Sequence, residues 1–388
     1  MTFRAPRITF WRVVLVLILA AGAWATWIRF TQGLGGATHL SDDFPWGIWV
    51  GFDVLCGVML AAGGFTLMAF VHIFHAERFK PVSRPALLTA YLGYLLVCAA
   101  LMFDLGKPWN IWHPLVMWNP HSVMFEVGWC VMLYTTVLTL EFLPVVFERF
   151  RMERPLRIIH AISLPIVILG VLLSTLHQSS LGSLYLIMAG KLHPLWYSSL
   201  LPVFFFISAI AVGIAMTIFE STMSARHFGH QLQPSILARL GKILTVVLIL
   251  YAVMRFQSLY RRDALKYIFD GSYEANLFLL EIATALIIPI ILLLIPKFRE
   301  NPKGLYLISI LVVFGFVINR LNISITGMEG AAGVTYVPKW PEVAITMSIV
   351  AVGVTLFALA VKYLPIFSHE VGTVEEEPMV AGEPAVAQ

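Results

Sequence analysis

The chain reads as an all-α, polytopic membrane protein with about ten transmembrane helices. Three observations carry that reading. Of its 388 residues 59% are hydrophobic and only 12% are charged, whereas a soluble domain is nearer half apolar and a quarter charged. Apolar runs close to the ~20 residues a helix needs to cross a bilayer recur along the whole length. Lysine and arginine gather in alternate connections between those runs, which fixes a topology.

Ten spans fit, at about 11–30, 47–71, 87–104, 121–146, 158–176, 199–222, 240–258, 276–296, 304–320 and 342–364. The first is longer than a signal-peptide core and no A-x-A site follows, so it is expected to be a retained helix. The second opens through FPWGIWVG and carries Asp53. The third ends at Asp104 in DLGKP. The fourth begins in NPHSVMFE and carries Glu126, then Glu141. The fifth is expected to close at THQSSLGSL, with His177 and Gln178 at its end. The sixth holds Glu220 near its far end. The seventh and ninth are the weakest, being short and carrying Arg255 and Arg320 at their ends. The eighth carries Glu281.

With the N-terminus cytoplasmic, 17 of the 26 lysines and arginines fall on the cytoplasmic side. That bias supports an even number of spans with both termini inside. Cytoplasmic connections are then short and basic, as in ERFRMERPLR. The outer ones are longer and rich in Trp, Pro, Gly and His: DDFPWG, DLGKPWNIWHPLVMWNPHS, HQSSLGSLYLIMAGKLHPLW and GMEGAAGVTYVPKWPE. They are expected to be folded or re-entrant, because irregular backbone near a membrane survives only against protein or a wet cavity. Residues 1–367 form the transmembrane domain. The acidic, small-residue tail 368–388 is expected to be a disordered cytoplasmic segment.

Ionisable groups inside spans are costly and are usually paired or functional. Asp53, Glu126, His177, Arg255 and Glu281 all fall within about two turns of the outer ends of their spans, with Asp104 and Arg320 at such ends. Five or more helices thus aim polar groups at one outer layer. Part of that layer has structural readings. Arg255 and Glu281 match in depth and suit an ion pair, and Asp53 suits a pair with Arg320. Glu126, one to two turns inside its span with His121 five residues before it, suits proton exchange with a ligand. His177 and Gln178 suit a ligand carbonyl, or the helix end itself. A second set runs inward. Glu141 follows Glu126 by fifteen residues, which returns to within about 60° of the same face roughly 22 Å deeper. With Glu220 it outlines a proton path, although solvation at the inner interface explains the same residues.

Several classes are excluded or unsupported. No dense basic tract with aromatics suggests nucleic acid. Cys56, Cys98 and Cys130 lack CxxC spacing and are too few for an ordinary iron–sulfur cluster. No pair of mid-membrane histidines suggests a haem, and there is no nucleotide or zinc motif.

At FPWGIWVGFD, DLGKPWNIW, NPHSVMFE, THQSSLGSL and HPLW the sequence resembles the NrfD/PsrC (polysulfide reductase membrane subunit) family over nearly its whole length. The last two motifs resemble the HybB-like branch found in hydrogenase-2-type nickel–iron hydrogenases. The resemblance implies two four-helix bundles, helices 2–5 and 6–9, flanked by helices 1 and 10. It implies a multi-pass subunit of the inner (cytoplasmic) membrane that binds menaquinone or ubiquinone near the periplasmic face and carries no haem or cluster of its own. Its partners would be a ferredoxin-like iron–sulfur subunit and the hydrogenase small and large subunits. The family's motif acids fall on Glu126 and Asp104, which the resemblance links to quinone binding or proton movement. Joined with the residues read above, Glu126, His121 and Asp104 are expected to handle protons, Asp53, His121, Glu126, His177, Gln178 and Arg255 to line the quinone site, and Glu126, Glu141 and Glu220 to form the proton path. The nearest competitor is a quinone-binding subunit of a molybdenum oxidoreductase. A secondary transporter would instead show an inverted repeat with broken helices at the midplane.

Overall fold

The computed structural model describes residues 9–188, 190–229 and 232–367. The expected tail, 368–388, lies outside them. Among the described residues ten helices are long and apolar enough to cross a membrane: α1 (Phe10–Ala37), α2 (Trp49–Ile73), α3 (Glu77–Asp104), α4 (Val123–Arg149), α5 (Ser163–Leu186), α6 (Leu201–Phe228), α7 (Pro234–Arg261), α8 (Tyr273–Leu294), α9 (Pro302–Ala332) and α10 (Trp340–Tyr363).

Helices α2–α5 pack into one four-helix bundle and α6–α9 into a second, with α6 lying against both α2 and α5. Helix α10 packs on α3 and pairs with α1, which also touches α3. Burial follows this order, from 78% of the hydrophobic window of α2 and 72% of α6 to 17% in both α1 and α10. The seam between bundles is therefore the core, and the flanking pair is the rim. At that seam α2 breaks at Ala61–Ala62. A Cβ placed on Gly213 of α6 would sit 2.6 Å from the Gly63 nitrogen. Only glycine lets the two backbones approach this closely.

The boundaries correct several sequence expectations. The fifth span does not close at His177. Residues Glu153–Ala161 form a separate short surface helix, and α5 starts later and runs on through the HQSSLGSL segment to Leu186. Its small residues suit a buried helix face: at Gly182 an added Cβ would meet the α6 backbone at 2.7 Å. The seventh and ninth spans, expected to be the weakest, have 28 and 31 residues. Helix α9 absorbs GMEGAA, which was expected to be loop, through a π-helical turn at Asn322–Thr326. Arg320 is consequently not a helix-end residue but a buried one. Further π-helical turns lie at Trp49–Cys56, Ala69–Ile73 and Ala283–Ile287.

One end of the bundle carries the α3–α4, α5–α6 and α9–α10 connections and is called here the long-loop end. The other, with the short basic connections, is the basic end. The α3–α4 connection is folded, as expected, into two 3₁₀ turns at Pro108–Asn110 and His113–Leu115.

Candidate functional site

At the long-loop end the polar residues sort into three groups. The first lies between α4 and α5. Ser122 caps α4 by accepting the Phe125 amide at 3.4 Å, which sets Glu126 in the first turn. Its Oε1 lies 2.6 Å from the Ser180 hydroxyl on α5. Ser180 Oγ is also 2.7 Å from the Leu176 carbonyl. One hydroxyl proton faces two acceptors, so the hydroxyl can turn as the carboxyl gains or loses a proton. One turn deeper, buried His177 places Nδ1 2.8 Å from the Tyr94 hydroxyl of α3, and its Nε2 has no partner. Gln178 donates to the Val58 carbonyl at 3.1 Å and leaves its buried Oε1 unpartnered. His121 stands exposed in the turn before Ser122.

The second group joins α1, α2, α3 and α10. Asp53, in the first π-helical turn of α2, accepts from the Thr346 hydroxyl at 2.8 Å. Arg29 of α1 donates to the carbonyls either side of Asp104, Phe103 at 2.6 Å and Leu105 at 2.7 Å. Buried Glu342 accepts from the amides of His39 at 3.1 Å and Lys339 at 2.8 Å and from the Tyr336 hydroxyl. Burial and the neighbouring Glu342 push the Tyr336 phenol above its ordinary range. These bonds tie the α9–α10 connection to the entry of α2.

The third group fills the second bundle. Glu281 accepts from Trp196 Nε1 at 2.8 Å, Asn319 Nδ2 at 2.8 Å and Asn322 Nδ2 at 2.9 Å. The expected Arg255–Glu281 ion pair is absent among the described residues, because Arg255 instead donates to the Leu195 carbonyl at 3.0 Å between the rings of Phe204 and Phe278. The Asp53–Arg320 pair is likewise not formed. Arg320 donates to Asn319 Oδ1 at 2.9 Å and Ser208 Oγ at 2.7 Å. Both corrections share a cause. Neutral Asn, Ser, Trp and carbonyl groups take the hydrogen bonds that an opposite charge would have taken, although the Nε atoms of Arg255 and Arg320 stay unpartnered.

At the basic end a cavity of about 700 Å³ opens inside the first bundle, lined by Glu141, Glu148, Arg84, Lys80, His72 and His160 among others. Arg84 and Glu148 form a bidentate ion pair at 2.8 and 2.9 Å. Glu141 faces α5 at Gly170, where an added Cβ would lie 3.1 Å from its Oε1. Glu126 faces α5 as well, so the two carboxylates share a face of α4. Glu220 is buried on α6 and accepts from Thr89 at 2.6 Å, with Oε1 unpartnered. Among the described residues no hydrogen bond joins it to Glu141.

Sequence reasoning missed Ser180, Tyr94, Asn319, Asn322, Trp196 and Glu342. Ser180 had a signal, three residues after His177 on one helical face. Glu342 had another, as the N3 acid of a helix opening after Lys339. The asparagines had none.

Among the described residues ten apolar helices, eight in two bundles and two flanking them, with protonatable groups under one face, define an integral membrane protein with a polar layer at one end. The chain belongs to the polysulphide reductase NrfD family, whose model matches residues 36–330. It is 37% identical over 364 residues to a protein of Nitratidesulfovibrio vulgaris, covering 91% of this chain and 93% of that one. It is 33% identical to the probable Ni/Fe-hydrogenase 2 b-type cytochrome subunit of Escherichia coli, covering 87% of each. It is 28% identical to the integral membrane subunit of a menaquinone reductase of N. vulgaris, covering 93% and 92%.

The name of the second relative raises the question of haem. Bis-histidine ligation needs two buried rings at matched depth. His177 is the one buried histidine among the described residues, so they offer no second buried imidazole to pair with it.

Proposed function

We propose that this chain is the quinone-reactive membrane subunit of a nickel–iron hydrogenase complex whose catalytic subunits face the periplasm. The long-loop end is the periplasmic side and the basic end, with both termini, the cytoplasmic side. A ferredoxin-like iron–sulfur subunit, fed by the hydrogenase small and large subunits, delivers two electrons to menaquinone or ubiquinone at the long-loop end. The quinone takes up two protons and leaves as quinol. The relatives named for hydrogenase and for menaquinone reductase support this reading.

The single observation that carries the site is Glu126, held by Ser180 at 2.6 Å in the first turn of α4. Glu126 delivers the proton, and His121 and Asp104 flank the mouth. His177 and Gln178 stand behind it as polar lining, while Asp53 and Arg255 lie in the two other polar groups of the same layer. Protons reach Glu126 from the cytoplasmic cavity by way of Glu141, with buried Tyr134 between the two along the same helix and the Tyr94–His177 pair above it. Glu220 and Thr89 form a second inner foothold on the seam. Such a path couples quinone reduction to the membrane potential.

Glu126→Gln in the purified complex tests the site. Hydrogen-to-dye activity is expected to stay at the wild-type level, while hydrogen-to-quinone activity falls by about a hundredfold or more, the scale of a lost proton donor. Unchanged quinone activity overturns the assignment. A second reading is favoured by the relatives that are named as subunits of menaquinone and selenate reductases: the same quinone chemistry with a molybdenum catalytic partner. The subunits that co-purify with the chain decide between the two.

A further inference from the structure

The α3–α4 connection folds back over the start of α4 and builds a second feature beside Glu126. Pro114 of that connection comes within 3.9 Å of where a Cβ on Gly128 would stand. Trp118 packs on Trp129 with ring centroids 4.8 Å apart, and Phe125 lies 5.9 Å from Trp118 and 6.0 Å from Trp129. The Trp118 indole N–H is satisfied by the Leu115 carbonyl at 3.1 Å. The Trp129 indole N–H is not: Nε1 is buried and has no hydrogen-bond partner. Buried donors without acceptors are rare and costly, and each calls for an explanation. Trp129 follows Glu126 by three residues, so both lie on one face of the helix.

Resting on the quinone reading above, we propose that the Trp129 indole N–H is a hydrogen-bond donor to a quinone carbonyl, in a slot walled by Phe125 and Trp118. A planar apolar ring bearing carbonyl acceptors matches two aromatic walls and one unspent N–H. A charged ligand does not. Trp118 is exposed and sits in irregular backbone between Leu115 and the start of α4. Displacement of its ring opens the face of Trp129 to the incoming quinone. The exposed side chains of Leu115, Val116 and Met117 beside it give the isoprenoid tail an apolar exit. Trp129 is thus a binding residue, and Glu126 the proton donor of the same site.

The test uses the purified complex with its partner subunits and a short-chain naphthoquinone. Trp129→Phe is expected to raise the quinone KM about five-fold, the equivalent of one neutral hydrogen bond, with kcat and hydrogen-to-dye activity unchanged. Trp129→Tyr, which restores a donor, recovers part of the loss. An unchanged KM in Trp129→Phe, together with lost quinone turnover in Glu126→Gln, overturns the donor role and leaves the quinone reading standing. Unchanged quinone turnover in both overturns the reading itself. Should the variants fail to assemble, photolabelling of the wild-type complex with an azido-naphthoquinone decides the matter. Label on the 118–129 segment supports the slot, and label confined to other helices overturns it.

Discussion

Glu281→Leu is expected to be among the most destabilising single changes in the second bundle. Glu281 is 2% exposed and accepts from three side-chain donors, Trp196, Asn319 and Asn322, at 2.8–2.9 Å. Leucine fills the volume but leaves three buried N–H groups without an acceptor. At about 1–3 kcal/mol for each orphaned donor the loss is about 3–9 kcal/mol, and relaxation of the asparagines draws it to the lower half. Glu281→Gln keeps one acceptor oxygen and turns an amide N–H₂ toward a donor, so it is expected to cost about 1–3 kcal/mol. The assay is unfolding of the detergent-solubilised chain followed by tryptophan emission, with the order wild type, Gln, Leu. A double-mutant cycle with Arg255→Met is expected to show coupling below about 1 kcal/mol, since Arg255 is engaged by the Leu195 carbonyl. A Leu variant as stable as wild type refutes the account of Glu281 as a buried acceptor node. Coupling well above that bound restores a direct Arg255–Glu281 pair.

Acidification offers a second check, through His193 in the α5–α6 connection. Its Nδ1 accepts the Leu195 amide at 3.3 Å, and burial lowers the ring from its ordinary value against the opposing pull of Glu274 and Asp270. The unfolded chain therefore binds the extra proton first, so stability falls as pH drops below about 6.5. Between pH 7.5 and 5.5 the unfolding temperature of wild type should drop further than that of His193→Gln, and parallel drops contradict the assignment. Gly213→Ala places a methyl 2.6 Å from the Gly63 nitrogen and should cost about 1–3 kcal/mol by forcing the bundles apart. Gly330→Ala, helical and with nothing within 4 Å, should be neutral or slightly stabilising. Equal effects of the two would mean that the α2–α6 crossing is looser than its geometry.

The helix count was legible because hydropathy over ~20 residues and charge asymmetry are whole-segment signals; the pairing into bundles came only through the resemblance to the family. Boundaries were less so where small polar residues sit in a buried helix. Ser179, Ser180, Gly182 and Ser183 read as a loop, yet Thr175, Leu176 and Ser179 carbonyls absorb the three hydroxyls and the glycine accepts the α6 backbone. The depth of Asp53, Glu126 and Glu281 was legible, because position along a span fixes it. Their partners were not. A partner is set by which faces of two helices meet, and in the second bundle that depends on π-helical turns at Ala283–Ile287 and Asn322–Thr326, which rotate the faces that a regular helix would present.

The pattern of partners bears on the chemistry. Among the described residues the ion pairs are Glu77–Lys80 and Arg84–Glu148, both at the basic end. At the long-loop end Asp53, Glu126, Glu281 and Glu342 are held by hydroxyl, amide, indole or backbone N–H donors. The hydrogen bonds that the buried guanidiniums of Arg29, Arg255 and Arg320 make go to carbonyls, an amide oxygen and a hydroxyl, with the Nε atoms of Arg255 and Arg320 left unpartnered. Protonating one member of a buried ion pair strands its partner as an uncompensated charge. Protonating a carboxylate held by a serine hydroxyl strands nothing, because the hydroxyl can turn to accept instead of donate. Glu281, facing three obligatory N–H donors, lacks that freedom and suits a fixed anion. Glu126, facing a single rotatable Ser180 hydroxyl, has it. On the function proposed above, the chemistry of their donors assigns one of these two glutamates a structural role and the other a proton-exchanging one.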